Sequence, residues 1–355
     1  MGNYLFVPEL VFLFGVLVFF HELGHFILFK IIKVRVEEFA FGFGPTWIRL
    51  FKRGDTEYTI HAVPLGGFCR PAGENPGEPV VPGGFTSKPW YQRYLVYLAG
   101  PLASFLLAYV VFCTLGMTVG LPITGRALNV VDGVMQDSEA ERAGLRIGDQ
   151  IVAIDNRPVS DGKELVSIVH SSAGKHLALT VHRDDETIVL HGTPKISKLK
   201  NAKGVEEKVG LLGFWPKQEL KRVSVQTSVK YGTLQTWQLL QMVLVTVFSK
   251  DVANNVGGPL SIAVATKQSA KRGAGGFMEL IAMLSLSLGV FNLLPIPIVD
   301  GGQMVLCVVE GIIRRKLSDR TVIVAQFVGL MIIMLLFVSI MYLDLNRGMA
   351  GKLLQ

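Results

Sequence analysis

The stretch 18-VFFHELGHFILFK-30 sets two histidines and a glutamate inside an otherwise apolar run. Between residues 4 and 32 the only other charged side chains are Glu9 near the start and Lys30 at the end. A segment of that length and polarity can cross a bilayer, whose hydrocarbon core takes about 20 residues of helix. Ionisable groups placed past its middle cost roughly 2–3 kcal/mol or more each on insertion scales, so they mark a function by default.

The rest of the chain fits a membrane setting. Half of its 355 residues are hydrophobic, and the mean hydropathy of +0.43 is high for a soluble enzyme. The windows 94–119 and 322–343 carry no charge, and 280–299 is a further apolar run. A charge-rich stretch, 122–235, separates the second window from the third. The reading is four spans and one soluble insert. The first window lacks a basic n-region and a small-residue cleavage site, which argues against a cleaved signal peptide. Three scattered cysteines, Cys69, Cys113 and Cys307, give no disulfide framework. The net charge of +7 comes without a basic helix or an interleaved aromatic stripe, so no nucleic-acid partner is expected.

Lys and Arg near the span ends set the orientation. Lys30, Lys33 and Arg35 follow the first span, Lys88 and Arg93 precede the second, and 314-RRKLSDR-320 joins the third and fourth. These place both termini and the insert outside, with 30–93 and 314–320 in the cytosol.

His21 and His25, spaced i, i+4, lie one above the other on a helix face. Two such imidazoles can ligate one zinc ion, with Glu22 as general base on a zinc-bound water. Catalytic zinc takes three protein ligands and an open position. The third candidate is Asp300, the only acid in the apolar run 289-GVFNLLPIPIVDGG-302. Span one runs inward and meets His21 after about 25 Å of rise. Asp300 lies near the inner end of span three, so the depths agree. His61, Glu310 and Asp344 are the rivals. Pro295 and Pro297 must unwind the helix before Asp300, and irregular backbone at that depth lines a cavity or is buried in protein. Asn292, one turn upstream, can offer its amide to a substrate backbone or a developing oxyanion, or hydrogen-bond a neighbouring helix.

HELGH in one span and NLLPIPIVDGG in another resemble the site-2 protease family of intramembrane zinc metalloproteases, and the order of parts is most similar to the bacterial RseP type. The likeness extends to 37-EEFAFGFGP-45, 57-EYTIHAVPLGGF-68, 98-LAGPLASFLLA-108 and 257-GGPLSIA-263. It implies His21, His25 and Asp300 as ligands of one Zn2+ per chain, Glu22 as catalytic base and Asn292 as substrate-positioning. It also implies a bacterial cytoplasmic membrane, an active site in the cytosolic half, and substrates that are single-pass membrane proteins such as anti-sigma factors or signal-peptide remnants. Ser104 stands where members often have Asn.

Alternation on both sides of 52-KRGD-55 predicts a β-hairpin, which the resemblance makes re-entrant. Its strand edge can hold an unwound substrate by main-chain bonds, with Gly66, Gly67, Pro295 and Pro297 as further substrate-binding candidates and glycine permitting close backbone approach. The segment 139-EAERAGLRIGDQIVAIDNRPVSDGKELVSIV-169 resembles a bacterial PDZ domain. Its groove either captures a peptide terminus or the domain acts as a steric filter. The fold class expected is therefore a polytopic α-helical membrane protein with about four transmembrane helices, a re-entrant β-hairpin and an inserted extracytoplasmic PDZ-like α+β domain. The boundaries expected are a first transmembrane helix at 1–33, the hairpin segment at 34–93, a second transmembrane helix at 94–120 and the PDZ-like domain at 122–216. Interfacial amphipathic helices at 217–276 precede a third transmembrane helix at 277–302. A cytosolic turn, the fourth transmembrane helix and the C-terminus occupy 303–355. Two rival functions are weaker. A protease with a cytosol-facing site needs a downstream glutamate on a soluble helix, and none stands out. A catalytically dead scaffold does not need Glu22.

Overall fold

The computed structural model describes residues 7–74, 81–135, 137–200, 206–249, 257–348 and 351. Along the chain run α1 (Val7–Ile31), β1 (Val36–Arg53), β2 (Thr56–Pro71) and α2 (Trp90–Thr118). Then come β3 (Leu121–Val134), α3 (Glu139–Arg142), β4 (Gln150–Ile154), β5 (Arg157–Pro158), α4 (Gly162–Ser171), β6 (Leu177–Arg183), β7 (Glu186–Gly192), β8 (Lys195–Lys200), β9 (Glu206–Leu211) and β10 (Phe214–Lys221). The last five are α5 (Val225–Val247), α6 (Pro259–Lys271), α7 (Ala274–Asn292), α8 (Asp300–Ile313) and α9 (Asp319–Asn346). They form two compact units, one of 1–114, 226–270 and 276–355, the other of 115–225 with 271–275.

In the first unit, α1, α2, α7 and α9 are long and apolar enough to cross a membrane. Lipid tails give apolar helices no hydrophobic reason to associate, so close packing must do it, and small residues allow that. A Cβ on Gly24 of α1 would run into the Ala99 carbonyl of α2 and come within 2.8 Å of Ala103 Cβ. Leu13 and Leu17 of α1, Leu107 of α2 and Leu280 and Ile281 of α7 form one buried cluster. Ala108, Phe112, Ala282, Leu286 and Val290 form another, covered by Tyr231, Leu239 and Leu240 of α5. By contrast, α9 buries only Gly329 and Asp344.

The third apolar run is not one helix. Its helical turns stop at Asn292, residues 293–299 are unwound, and α8 starts at Asp300. Pro295 and Pro297 supply the break. Glycine lets α8 fold back on it: a Cβ on Gly301 would strike the Leu293 carbonyl, and one on Gly302 the Ile296 carbonyl.

The strands β1 and β2 turn at Gly54 and Asp55, with Arg53 opposite Thr56. They fold further than the expected hairpin. Gly42 and Gly44 have φ of +90° and +89° and bend β1, so that its first half meets β2 twice. Segment 36–41 pairs antiparallel with 67–71 and, numbers rising together, alongside 57–60. The latter pairs in turn with 48–53. Among the described residues, 67–71 and 46–53 are the outer edges of this sheet. This sheet lies along α1: a Cβ on Gly15 would meet Phe41 at 2.8 Å, Phe39 packs edge-on against Phe19, and Lys30 Nζ donates to Thr56 at 2.8 Å.

The second unit holds a sheet in the order β10-β3-β4-β6-β7, with β5 on β4, and the pair β8-β9. Its core gathers Val131, Leu145, Ile151, Ile154, Leu165, Leu179, Val181 and Leu212, the inward positions of strands and helices whose apolar residues alternate or recur every third or fourth place. Both helices are capped from the sequence, α3 by Ser138 and α4 by Asp161. Asp149, 1% exposed, takes both Arg183 Nε at 2.6 Å and Nη2 at 2.7 Å and the Arg146 N–H at 2.7 Å. That carboxylate holds the Arg183 guanidinium above its ordinary range. The final strand runs to Lys221, and β10 with α4 borders an open cavity of about 810 Å³ lined by Lys163, Val166, His170, Val209, Pro216 and Gln218.

Candidate active site

Both histidines of HELGH face inward from α1 and are 6% exposed. Their Nδ1 atoms are already engaged: His25 reaches the Val96 carbonyl of α2 at 2.8 Å, and His21 reaches Ser104 Oγ at 3.1 Å. A carbonyl only accepts, so His25 donates from Nδ1 and turns Nε2 inward, the nitrogen whose lone pair a neutral ring would offer to a metal. Room for the two rings exists because residue 100 is glycine. A Cβ there would overlap His25 Nε2 and lie 2.8 Å from His21 Cε1.

Asp300, the first residue of α8, meets those nitrogens. Its Oδ2 is 3.1 Å from His21 Nε2 and its Oδ1 3.5 Å from His25 Nε2, while the two Nε2 atoms are 3.4 Å apart. A tetrahedral zinc with ligands at 2.0–2.1 Å separates them by about 3.3 Å. Asp300 Oδ2 is also buried without a hydrogen-bond partner among the described residues. Ligand atoms converging in this way, close to one another yet with no hydrogen bond satisfying Oδ2, fit a small divalent cation. Among the described residues this is the one cluster of three such ligand atoms, all within 4.8 Å.

The rival ligands have other partners. His61 and Glu38 are 3.0 Å apart inside the β sheet. Glu310 is paired with Arg93 and accepts the Leu317 N–H at 3.0 Å. Asp344 accepts from Gly258 N at 3.2 Å, Ser261 N at 3.0 Å and Ser261 Oγ at 2.6 Å, capping the start of α6.

Glu22, partly buried, stands beside the cluster, and its carboxylate faces the backbone N–H of Cys69 in the edge segment 67–71. Asn292, the last residue of α7, lies with Nδ2 3.4 Å from His21 Nε2. Pro295 and Pro297 sit in the unwound segment, where the Pro297 carbonyl accepts from Gln303 Nε2 at 2.7 Å. The tight approaches at Gly66 and Gly67 are internal to the sheet. A Cβ on Gly66 would overlap the Phe43 ring, and one on Gly67 would lie 2.6 Å from the Ala40 carbonyl. Sequence reading missed Gly100, Val96 and Cys69. A backbone carbonyl or N–H leaves no trace in side-chain pattern, and Gly100 reads as one more small helix residue.

The sequence matches the profile of Peptidase family M50 over residues 9–336. The chain belongs to this family. Its resemblance to the site-2 proteases is thereby membership, and it is a metalloprotease. A curated M50 relative from Clostridium acetobutylicum is 33% identical over 335 residues, 93% of this chain and 94% of its own. The regulator of sigma-W protease RasP of Bacillus subtilis is 29% identical, over 96% of this chain and 98% of its own. The zinc metalloprotease RasP of Bacillus licheniformis is 28% identical over 96% and 99%. A solved PDZ domain, from the SdrC-like protein of Listeria monocytogenes, is 20% identical over 27% of this chain and 93% of its own, at a TM-score of 0.20.

Proposed function

We propose that this M50 peptidase is an intramembrane zinc endopeptidase of a bacterial cytoplasmic membrane, cleaving transmembrane segments of single-pass proteins. The observation that carries the reading is the convergence of His21, His25 and Asp300 from two elements, with ligand atoms within 4.8 Å of one another, on a helix apolar enough to span. His21, His25 and Asp300 would hold one Zn2+, which when bound would supply Lewis acidity toward the scissile carbonyl and a water. Glu22 takes the proton of the attacking water and returns it to the leaving amine. The Asn292 amide, at the rim of the cluster, steadies the substrate backbone or its oxyanion.

A helix exposes no peptide bond until it unwinds. The free edge 67–71, whose Cys69 N–H already points at Glu22, offers main-chain bonds to an unwound strand. The sheet's packing along Gly15 to Lys30 of α1 supports a re-entrant placement. Lys30, Lys33, Arg35, Lys88, Arg93 and 314-RRKLSDR-320 favour an active site in the cytosolic half and an extracytoplasmic insert. In that insert the cavity between α4 and β10 supports capture of a peptide terminus. The test is co-expression of the wild type and Glu22→Gln with a tagged library of single-pass proteins. Cleavage within the span by the wild type alone is expected. Equal cleavage by Glu22→Gln removes the assignment.

A further inference from the structure

We infer that His61 and Glu38, buried inside the β sheet, are positioning residues that hold the edge segment 67–71, and with it the carboxylate of Glu22, in register with the metal ligands. The inference rests on the reading of Glu22 as the catalytic base. Nothing in the chemistry at the metal cluster uses these two groups, yet both are 6% exposed, and Thr59 beside them is 2% exposed. Burying ionisable groups is costly unless each is bonded, so the arrangement needs a purpose.

The bonds show one. His61 Nδ1 is 2.6 Å from the Gly44 carbonyl, and its Nε2 is 3.0 Å from Glu38 Oε1. The Gly44 carbonyl only accepts, so Nδ1 donates to it, and Nε2 lies between Glu38 Oε1 and Thr59 Oγ, the latter at 3.2 Å. Thr59 Oγ donates to the same Glu38 oxygen at 2.7 Å, and the guanidinium of Arg70 takes the other. Phe68 lies edge-on to the imidazole at 5.2 Å, and the Arg70 guanidinium lies over the Phe68 ring at 5.7 Å.

One carboxylate therefore ties the bend at Gly44, the inner segment and the edge 67–71 together. His61 fastens the bend at Gly44, where the backbone is left-handed at Gly42 and Gly44 and the ladder register shifts between Phe43 and Thr46. Thr59 fastens the inner segment 57–60, and Arg70 the edge. The backbone N–H of Cys69, the neighbour of Arg70, faces the carboxylate of Glu22. The path from Gly44 to Arg70 is thus a run of hydrogen-bonded groups, and the next residue, Cys69, lies against Glu22. A positional error of about 1 Å in a catalytic group can lower turnover a hundredfold, so a loosened edge should register in kcat.

The experiment uses the full chain purified in detergent with zinc and one cleavable single-pass substrate. The variants are Glu38→Gln, nearly isosteric, together with His61→Ala, His61→Gln and Glu22→Gln. Glu38→Gln and His61→Ala are expected to keep the wild-type zinc content and a KM within about twofold, with kcat lower by about tenfold. His61→Gln, whose amide can still donate to Glu38, should recover part of that loss. Wild-type kcat in both Glu38→Gln and His61→Ala would overturn the inference. So would a raised KM at unchanged kcat, or loss of zinc in both, which would make the network merely structural. Cleavage by Glu22→Gln would instead bring down the underlying reading of the base. An inactive Glu22→Gln beside fully active His61 and Glu38 variants would leave that reading standing and remove only this one.

Discussion

Each ring of HELGH is held by its Nδ1 atom, by the Val96 carbonyl for His25 and by Ser104 for His21. Fixing that nitrogen aims the other, and loss of such an outer contact usually weakens metal binding 10–100-fold. Gly100→Ala should have a comparable effect, because the added methyl would occupy the space of His25 Nε2. Zinc titration of the purified variant, with its helix content unchanged by circular dichroism, checks this. Glu22→Gln is expected to keep zinc and lose 10²–10⁴-fold in cleavage, roughly the contribution of a positioned base. Asp300→Ala should lose both metal and activity. Metal analysis beside a cleavage assay separates the two, and an active Asp300→Ala would exclude it as a ligand. At this scale the HExxH pattern was legible because spacing alone puts two imidazoles on one face. The space around them was not, since it belongs to another helix.

Among the elements, α9 is attached at few points. Its Gly329 approaches Ile298 N of the unwound segment, where a Cβ would sit at 2.9 Å, and its Asp344 caps α6 through Gly258 and Ser261. Losing such a cap costs about 1 kcal/mol. Asp344→Ala should therefore free the start of α6 to a protease added to membranes, with cleavage sites read by mass spectrometry. In the second unit the Asp149–Arg183 pair is nearly dry on the acid side. Removing one partner of such a pair leaves an unpaired charge, at a cost of about 3 kcal/mol. Asp149→Ala should lower the melting temperature of the insert, followed by its tryptophan emission. Sequence pattern located the break before Asp300, because proline forbids the helix locally. It did not show the second folding of β1 at Gly42 and Gly44, since an alternating strand reads alike whether it meets its partner once or twice.

For the molecule as a whole, four apolar helices and membership of family M50 make it a polytopic membrane protein. The proposed orientation predicts that reporter fusions within 122–216 are active outside the cytosol and fusions at 314–320 inside. The opposite pattern would reverse the assignment. A zinc chelator should abolish cleavage, and added zinc should restore it.

The order of parts, the four spans and the chemical types at the site followed from the chain alone, because hydrophobic length, proline and i, i+4 spacing act over a few neighbouring residues. Asp300 too was legible as the acid beside the histidines, but which carbonyl and hydroxyl turned their rings, and which strand edge lies against Glu22, followed only from the folded arrangement. Those depend on distances between segments far apart in sequence, and packing sets such distances where local pattern cannot.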